Sequence, residues 1–129
     1  MEDFELLFRV IAVLHGVAGL VLWAFASDKD FQQFCFYQHR NPLAGDFYKY
    51  LVYFACWSLM ACGYAAFYFP RLAVALAWLS LGFYLSTGLV DLIAERRWPN
   101  FCKACAVSFS ARLIATLALT GVMRYGLYA

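Results

Sequence analysis

Charged side chains are scarce in this chain: Asp, Glu, Lys and Arg make up 14% of its residues, where a soluble domain carries about 25%. The net charge of +2 at pH 7 is too small for the basic surface that nucleic acid requires, so no nucleic-acid partner is expected. Proline is nearly missing, with three residues. Pro42, Pro70 and Pro99 all fall between apolar runs, where they punctuate loops. Long polar stretches are missing too, which leaves no room for a separate soluble domain. Histidine is limited to His15 and His39, and only His15 lies inside an apolar run. A buried haem held by two imidazoles is therefore not expected.

What the chain has instead is four apolar runs, at 6–26, 48–69, 72–94 and 104–123. Each approaches the ~20 residues that a helix needs to cross a ~30 Å hydrocarbon core. The fold they predict is all-α: one integral-membrane domain over 1–129, a four-helix antiparallel bundle. Pro70-Arg71 is all that separates the second and third runs, so those helices form a tight hairpin. In the first loop, Ser27 and Asp30 resemble a capping box. Residues 28–38, with Phe31, Phe34, Cys35 and Tyr37, then predict a short interfacial helix that Asn41-Pro42 ends. Close helix approach is expected at Gly16 and Gly19, Ala61 and Ala65, and Ala111 and Ala115. Aromatic residues make up 20%, and Tyr48, Tyr50, Tyr68, Phe69, Trp98, Phe101, Tyr125 and Tyr128 fall near run ends, where headgroups favour them.

Basic residues set the orientation. Arg9, Arg71 and Arg124 share one face with the termini, while Lys29, Arg40, Lys49, Arg96, Arg97 and Lys103 share the other. The two long loops are thus expected on the cytoplasmic or matrix side. The acidic start (Glu2, Asp3, Glu5) lacks the basic opening of a secretory signal, so the first run is expected to stay in the mature protein.

Arg112 is the most expensive residue to place, because a cation that deep costs roughly 2.5–3.5 kcal/mol on insertion scales. Asp91 in the third run is its expected partner, with Ser86, Thr87, Ser108 and Ser110 as further hydrogen-bonding groups. A structural pair is the first reading; a proton or ion path, a lipid headgroup contact or a partner-subunit contact are the alternatives. His15, flanked by Gly16, is expected to be neutral and hydrogen-bonded across the bundle, with a quinone or proton contact as the alternative.

Cys102 and Cys105 form a C-x-x-C at the start of the fourth run, where a helix N-terminus favours the thiolate. Cys35 and His39 lie four apart on the proposed interfacial helix and belong to the same membrane face. Together they offer three thiolates and one imidazole, the ligand set of a closed structural zinc site; zinc is the one cofactor the residues suggest. Cys56 and Cys62, inside the second run, read as small apolar fillers.

A four-helix membrane protein whose late helix opens on C-x-x-C resembles, in outline, the vitamin K epoxide reductase and disulfide-bond-forming enzymes. The likeness covers about a dozen residues, Trp98-Pro-Asn-Phe-Cys102-Lys-Ala-Cys105-Ala-Val-Ser-Phe. It implies a thiol–disulfide redox pair at Cys102 and Cys105. Those enzymes carry a second cysteine pair in a loop, whereas the first loop here offers only Cys35. Charge counting also puts the motif on the reducing side. Architecturally the chain also looks like small membrane scaffolds and like accessory subunits of respiratory and ATP-synthase complexes. The expected function is therefore a non-catalytic accessory or scaffold subunit of a mitochondrial or bacterial inner-membrane assembly, in contact with lipids and other membrane subunits. A thiol redox protein, or a small transporter or lipid-binding protein, is the alternative.

Overall fold

Helices form at all four apolar runs. A computed structural model describes residues 2–29, 42–93 and 103–127, and every regular element among them is helical. These are α1 (Glu2–Ala26), α2 (Pro42–Ala65), α3 (Pro70–Ile93) and α4 (Lys103–Gly121), followed by a π-helical turn, Val122–Leu127. The side chains of Asp91 and of residues 103–109 are outside the described set, and so is nearly all of the interfacial helix predicted at 28–38.

Two starts differ from expectation for one reason. Pro42 and Pro70 do not sit in loops; each is the first residue of its helix. Proline lacks only an N–H that the first turn leaves unbonded, and its fixed φ already suits the helix. α2 therefore begins six residues before the predicted 48. The chain reverses over Ala66–Phe69 instead of at Pro70-Arg71: the Phe69 amide donates to the Ala65 carbonyl at 2.6 Å, closing α2, and the Phe69 carbonyl accepts from Ala73 at 3.0 Å, opening α3.

α1 and α2 pack closest. The buried residues of α1 include Phe8, Ala12, His15, Gly19 and Ala26, in steps of three and four or their sum. That is the 3.5-residue period of left-handed antiparallel packing. Backbones meet where glycines face each other: a Cβ on Gly63 would lie 3.0 Å from the Gly16 Cα and 3.1 Å from the Ala12 carbonyl oxygen. A Cβ on Gly19 would lie 2.7 Å from both the Cys56 carbonyl oxygen and the Leu59 Cβ. Gly16 and Gly19 are thus contact points as expected. The counterpart of Gly16 is Gly63 and that of Gly19 is the Cys56–Met60 stretch, while Ala61 and Ala111 face outward and Ala65 is buried. At the far end of the pair the Tyr53 hydroxyl donates to the Ala26 carbonyl at 3.3 Å.

α2 also runs along α3. α4 touches α3 and α1 more sparingly, and its π-helical end reaches back to α1, where the Phe4 ring lies over Gly126. All four helices meet in one apolar cluster near the α2–α3 turn, made of Phe8, Ala12, Cys62, Ala65, Ala66, Ala73, Val74, Ala77 and Leu119. Most of these side chains are small. The bulk lies outside: Leu, Val, Phe, Tyr and Trp are exposed along every helix, with Leu6, Leu14, Phe25, Tyr64, Leu89 and Ile114 all more than half exposed.

Among the described residues two helices, over Asp3–Ala26 and Pro70–Val90, are long and apolar enough to cross a membrane, where the sequence predicts four spans. α4 is only 19 residues long and holds Arg112 with several hydroxyls. α2 carries Asp46 and Lys49 near its start and is broken up by Gly, Ser and Tyr.

The glycine contacts generate a testable contrast. Gly19→Ala and Gly63→Ala force backbone apart and should destabilise the fold by about 1–3 kcal/mol. Gly82, with open space around its Cα, should tolerate Ala and gain up to ~1 kcal/mol from helix propensity. Thermal unfolding in detergent, followed by circular dichroism, reads the order; equal effects at the three positions would contradict the packing.

Candidate functional site

Arg112 does find a partner, but one that the apolar pattern of α3 conceals. Its guanidinium Nη2 donates to the Ser80 hydroxyl at 2.6 Å, and Ser80 in turn donates to the Ala55 carbonyl at 2.7 Å. Ser80 is fully buried. A hydroxyl has one hydrogen and two lone pairs, so accepting from Arg112 and donating to Ala55 are compatible roles. One serine thereby connects α2, α3 and α4.

Tyr84, one helical turn beyond Ser80, completes the setting. Its ring lies under the guanidinium, 5.0 Å from Cζ to the centroid, a cation–π contact that strengthens where water is absent. Serine and tyrosine at 80 and 84 project from one face of α3 because residues four apart are neighbours on a helix.

α4 prepares this contact with its own hydroxyls. Thr116 donates to the Arg112 carbonyl at 2.8 Å and Thr120 to the Thr116 carbonyl at 2.8 Å. Thr120 then accepts from the indole Nε1 of Trp78 at 3.0 Å. Two polar ties to α3, at Ser80 and at Trp78, hold a helix that brings rather little apolar surface to the bundle.

The expected pairing of Arg112 with Asp91 involves a side chain outside the described residues. Asp91 follows Ser80 by eleven residues, or ~16 Å along a helix. Ser86 and Thr87, expected to share the load, instead bond back to their own helix at the Gly82 and Tyr84 carbonyls. Ser108 lies outside the described side chains, and Ser110 is exposed.

His15 is buried as expected, but its bond does not cross the bundle. Nδ1 lies 2.8 Å from the Ile11 carbonyl one turn back on α1. A carbonyl only accepts, so Nδ1 carries the hydrogen and a neutral ring keeps its lone pair on Nε2. That atom is buried with no hydrogen-bond partner among the described residues.

Of the cysteines, Cys56 and Cys62 are free and buried, in keeping with small apolar fillers. The candidate zinc ligands Cys35, His39 and Cys102, and the side chain of Cys105, lie outside the described residues. Among the described residues no group of three or more His, Cys, Asp or Glu is placed to hold a metal ion.

Sequence reading missed Ser80, Tyr84 and the Ala55 carbonyl. The i, i+4 spacing of Ser80 and Tyr84 within an apolar run was the available signal. The arrangement offers a buried cation, a hydroxyl relay and a phenol ring. It holds helices together and presents one positive charge; no acid–base pair is assembled among the described residues. Compared with known proteins, this chain matches no family model, no curated protein and no solved structure.

The relay implies energetic coupling. Ser80→Ala leaves the Arg112 donor and the Ala55 acceptor unmet and should cost about 1–3 kcal/mol. In a double-mutant cycle with Arg112→Met, the combined loss should fall short of the sum of the single losses by roughly 0.5–3 kcal/mol. Simple additivity in detergent unfolding would show that the two side chains do not interact.

Proposed function

We propose that this chain is a four-span integral membrane protein, serving as a non-catalytic accessory or scaffold subunit of a larger membrane assembly of respiratory-chain or ATP-synthase type. The observation that carries the membrane reading is where size and polarity lie. Small residues fill the interior, and large apolar ones cover the outside. Water would not tolerate so continuous an apolar surface on a monomer, where exposed patches rarely exceed a few hundred Å². Hydrocarbon does, and helices within it associate through small residues and hydrogen bonds. Only 22% of the apolar window of α1 and 39% of that of α3 are buried by the rest of the protein, which leaves most of both for lipid or for neighbours.

Two further features support the step from membrane protein to subunit. Some polar side chains within the described helices tie helices together, as at Ser80 and Thr120, and others, such as Ser86, Thr87 and Thr116, bond back to their own helix. α4 is lightly seated, so a neighbouring chain has helix surface to complete. On this reading the termini lie on the less basic side, and the loops carrying Cys35 and the Cys102/Cys105 pair face the cytoplasm or matrix. The inner membrane of a mitochondrion or bacterium is the setting.

Sealed membranes test both parts. The chain should resist alkaline carbonate extraction, and an impermeant maleimide added from outside should leave Cys35, Cys102 and Cys105 unmodified. Mild-detergent purification should bring the same companion subunits each time, and Cys102→Ser should leave that set unchanged. Rapid labelling from outside, with thiol–disulfide exchange activity lost in Cys102→Ser, would favour the redox alternative.

A further inference from the structure

Three buried polar side chains, one each from α1, α3 and α4, stand at a single level of the bundle. Two contacts set the register of α1 against α4: Phe4 lies over Gly126, and Leu119 packs with Phe8 and Ala12. Residue numbers fall along α1 as they rise along α4, so the two helices run antiparallel. Continuing that register, His15, three residues past Ala12, comes level with Thr116, three before Leu119. On α3, Ser80 is likewise three past Ala77 of the same apolar cluster. His15, Ser80 and Thr116 are 7%, 0% and 2% exposed. His15 also follows Phe4 by eleven residues, close to three full turns. It therefore projects from the side of α1 on which Phe4 meets the turn that ends α4.

The hydrogen bonds at this level leave acceptors on both helices. His15 gives its Nδ1 hydrogen to the Ile11 carbonyl, so Nε2 of the neutral ring can only accept. Thr116 gives its hydrogen to the Arg112 carbonyl, so its oxygen too has only lone pairs to offer. Nε2 is sealed from solvent and unpartnered among the described residues. Two acceptors cannot bond each other. A group that satisfies both must bring two hydrogens. The Arg112 guanidinium, one turn from Thr116, gives an N–H to Ser80 and has further N–H groups to direct at such a group. Its positive charge disfavours a cation between the acceptors, and their lone pairs disfavour an anion. A neutral molecule with two hydrogens and a lone pair remains, and water is the smallest.

We propose that His15 and Thr116 hold a buried water molecule between α1 and α4. It donates to Nε2 and to the Thr116 oxygen and accepts from Arg112. About three partners is usual for an internal water, and polar surroundings are what such a site requires. Ala12 and Ala77, one turn away, leave space beside it. The water gives α4 a polar tie to α1 beside its two ties to α3. It also gives a purpose to a histidine whose direct bond stays within its own helix. The site rests on the packing and not on the membrane reading.

Magnetic resonance of the full chain with nitrogen-15 in its histidines tests the proposal. The resonances lost in His15→Phe are those of His15. At neutral pH Nδ1 should carry the proton, and Nε2 should resonate as a hydrogen-bonded acceptor that receives magnetisation from water. Thr116→Val, which keeps the side-chain shape, should cut that transfer severalfold. Ser86→Ala, which removes a hydroxyl bonded to its own helix, should leave it unchanged. The measurement on the unaltered chain decides the matter even where Thr116→Val fails to fold. A protonated Nε2, or one with neither hydrogen bond nor water transfer, would overturn the site. A hydrogen bond without water transfer, abolished by extraction with organic solvent, would overturn water in favour of a hydroxyl-bearing ligand. Undiminished transfer in folded Thr116→Val would overturn the bridge to α4.

Discussion

A single buried hydroxyl, that of Ser80, decides how the fourth helix joins the other three. Its hydrogen goes to the Ala55 carbonyl and its lone pair receives Arg112, so α2, α3 and α4 are fixed at one level. The contact requires α3 to approach α2 closely, which the alanines around it allow. It also requires α4 to present a long cation whose head is desolvated, because a water-exposed pair of this kind contributes little. Replacing Ser80 by a larger apolar residue would separate α2 from α3 as well as strand the arginine. The Tyr84 ring shows that the rest of the site is arranged around the same charge.

Two different means of holding helices together divide the molecule. α1 and α2 rely on backbone proximity at Gly16, Gly19 and Gly63, where a methyl group would be tight at Gly16 and Gly63 and too much at Gly19. α3 and α4 rely on side-chain hydrogen bonds through Ser80 and Thr120. The first kind is stiff and depends on shape; the second is directional and depends on exclusion of competing water. Leu119, fully buried among Phe8, Ala12 and Ala77, is where the two halves share an apolar contact.

The helix count was legible because each apolar run has the length of a helix and is set off by short polar segments. Helix starts were less so: a proline reads equally as a loop residue or as a first helical residue, and only the backbone of Pro42 and Pro70 tells them apart. The glycines of α1 were legible as contact points, since small residues in an apolar run mark close approach. Gly63, the counterpart of Gly16, was not, because matching the two requires the relative rotation of two helices. Arg112 declared itself by its cost. Ser80 did not, since a serine within an apolar run is ordinary; the expected carboxylate, Asp91, has its side chain outside the described residues. Among the rings of α2, Tyr48 and Tyr50 read as membrane-interface residues from their places near a run end; that Phe47, Tyr50, Phe54, Trp57 and Tyr64 share one exposed face emerges once α1 and α3 show which sides of α2 are covered.

Gly126 has a bearing on how the chain is made. The ring of Phe4 occupies the place where a Cβ at that position would lie, 2.7 Å from Cγ and Cδ1, so near-opposite ends of the described chain complete one contact. During synthesis α1 emerges long before the π-helical turn that covers its beginning. The neighbours in sequence, α1 with α2 and α2 with α3, assemble from local contacts and form early. The closing step waits for α4. Until then Phe4, Phe8 and Ala12 remain uncovered on that side.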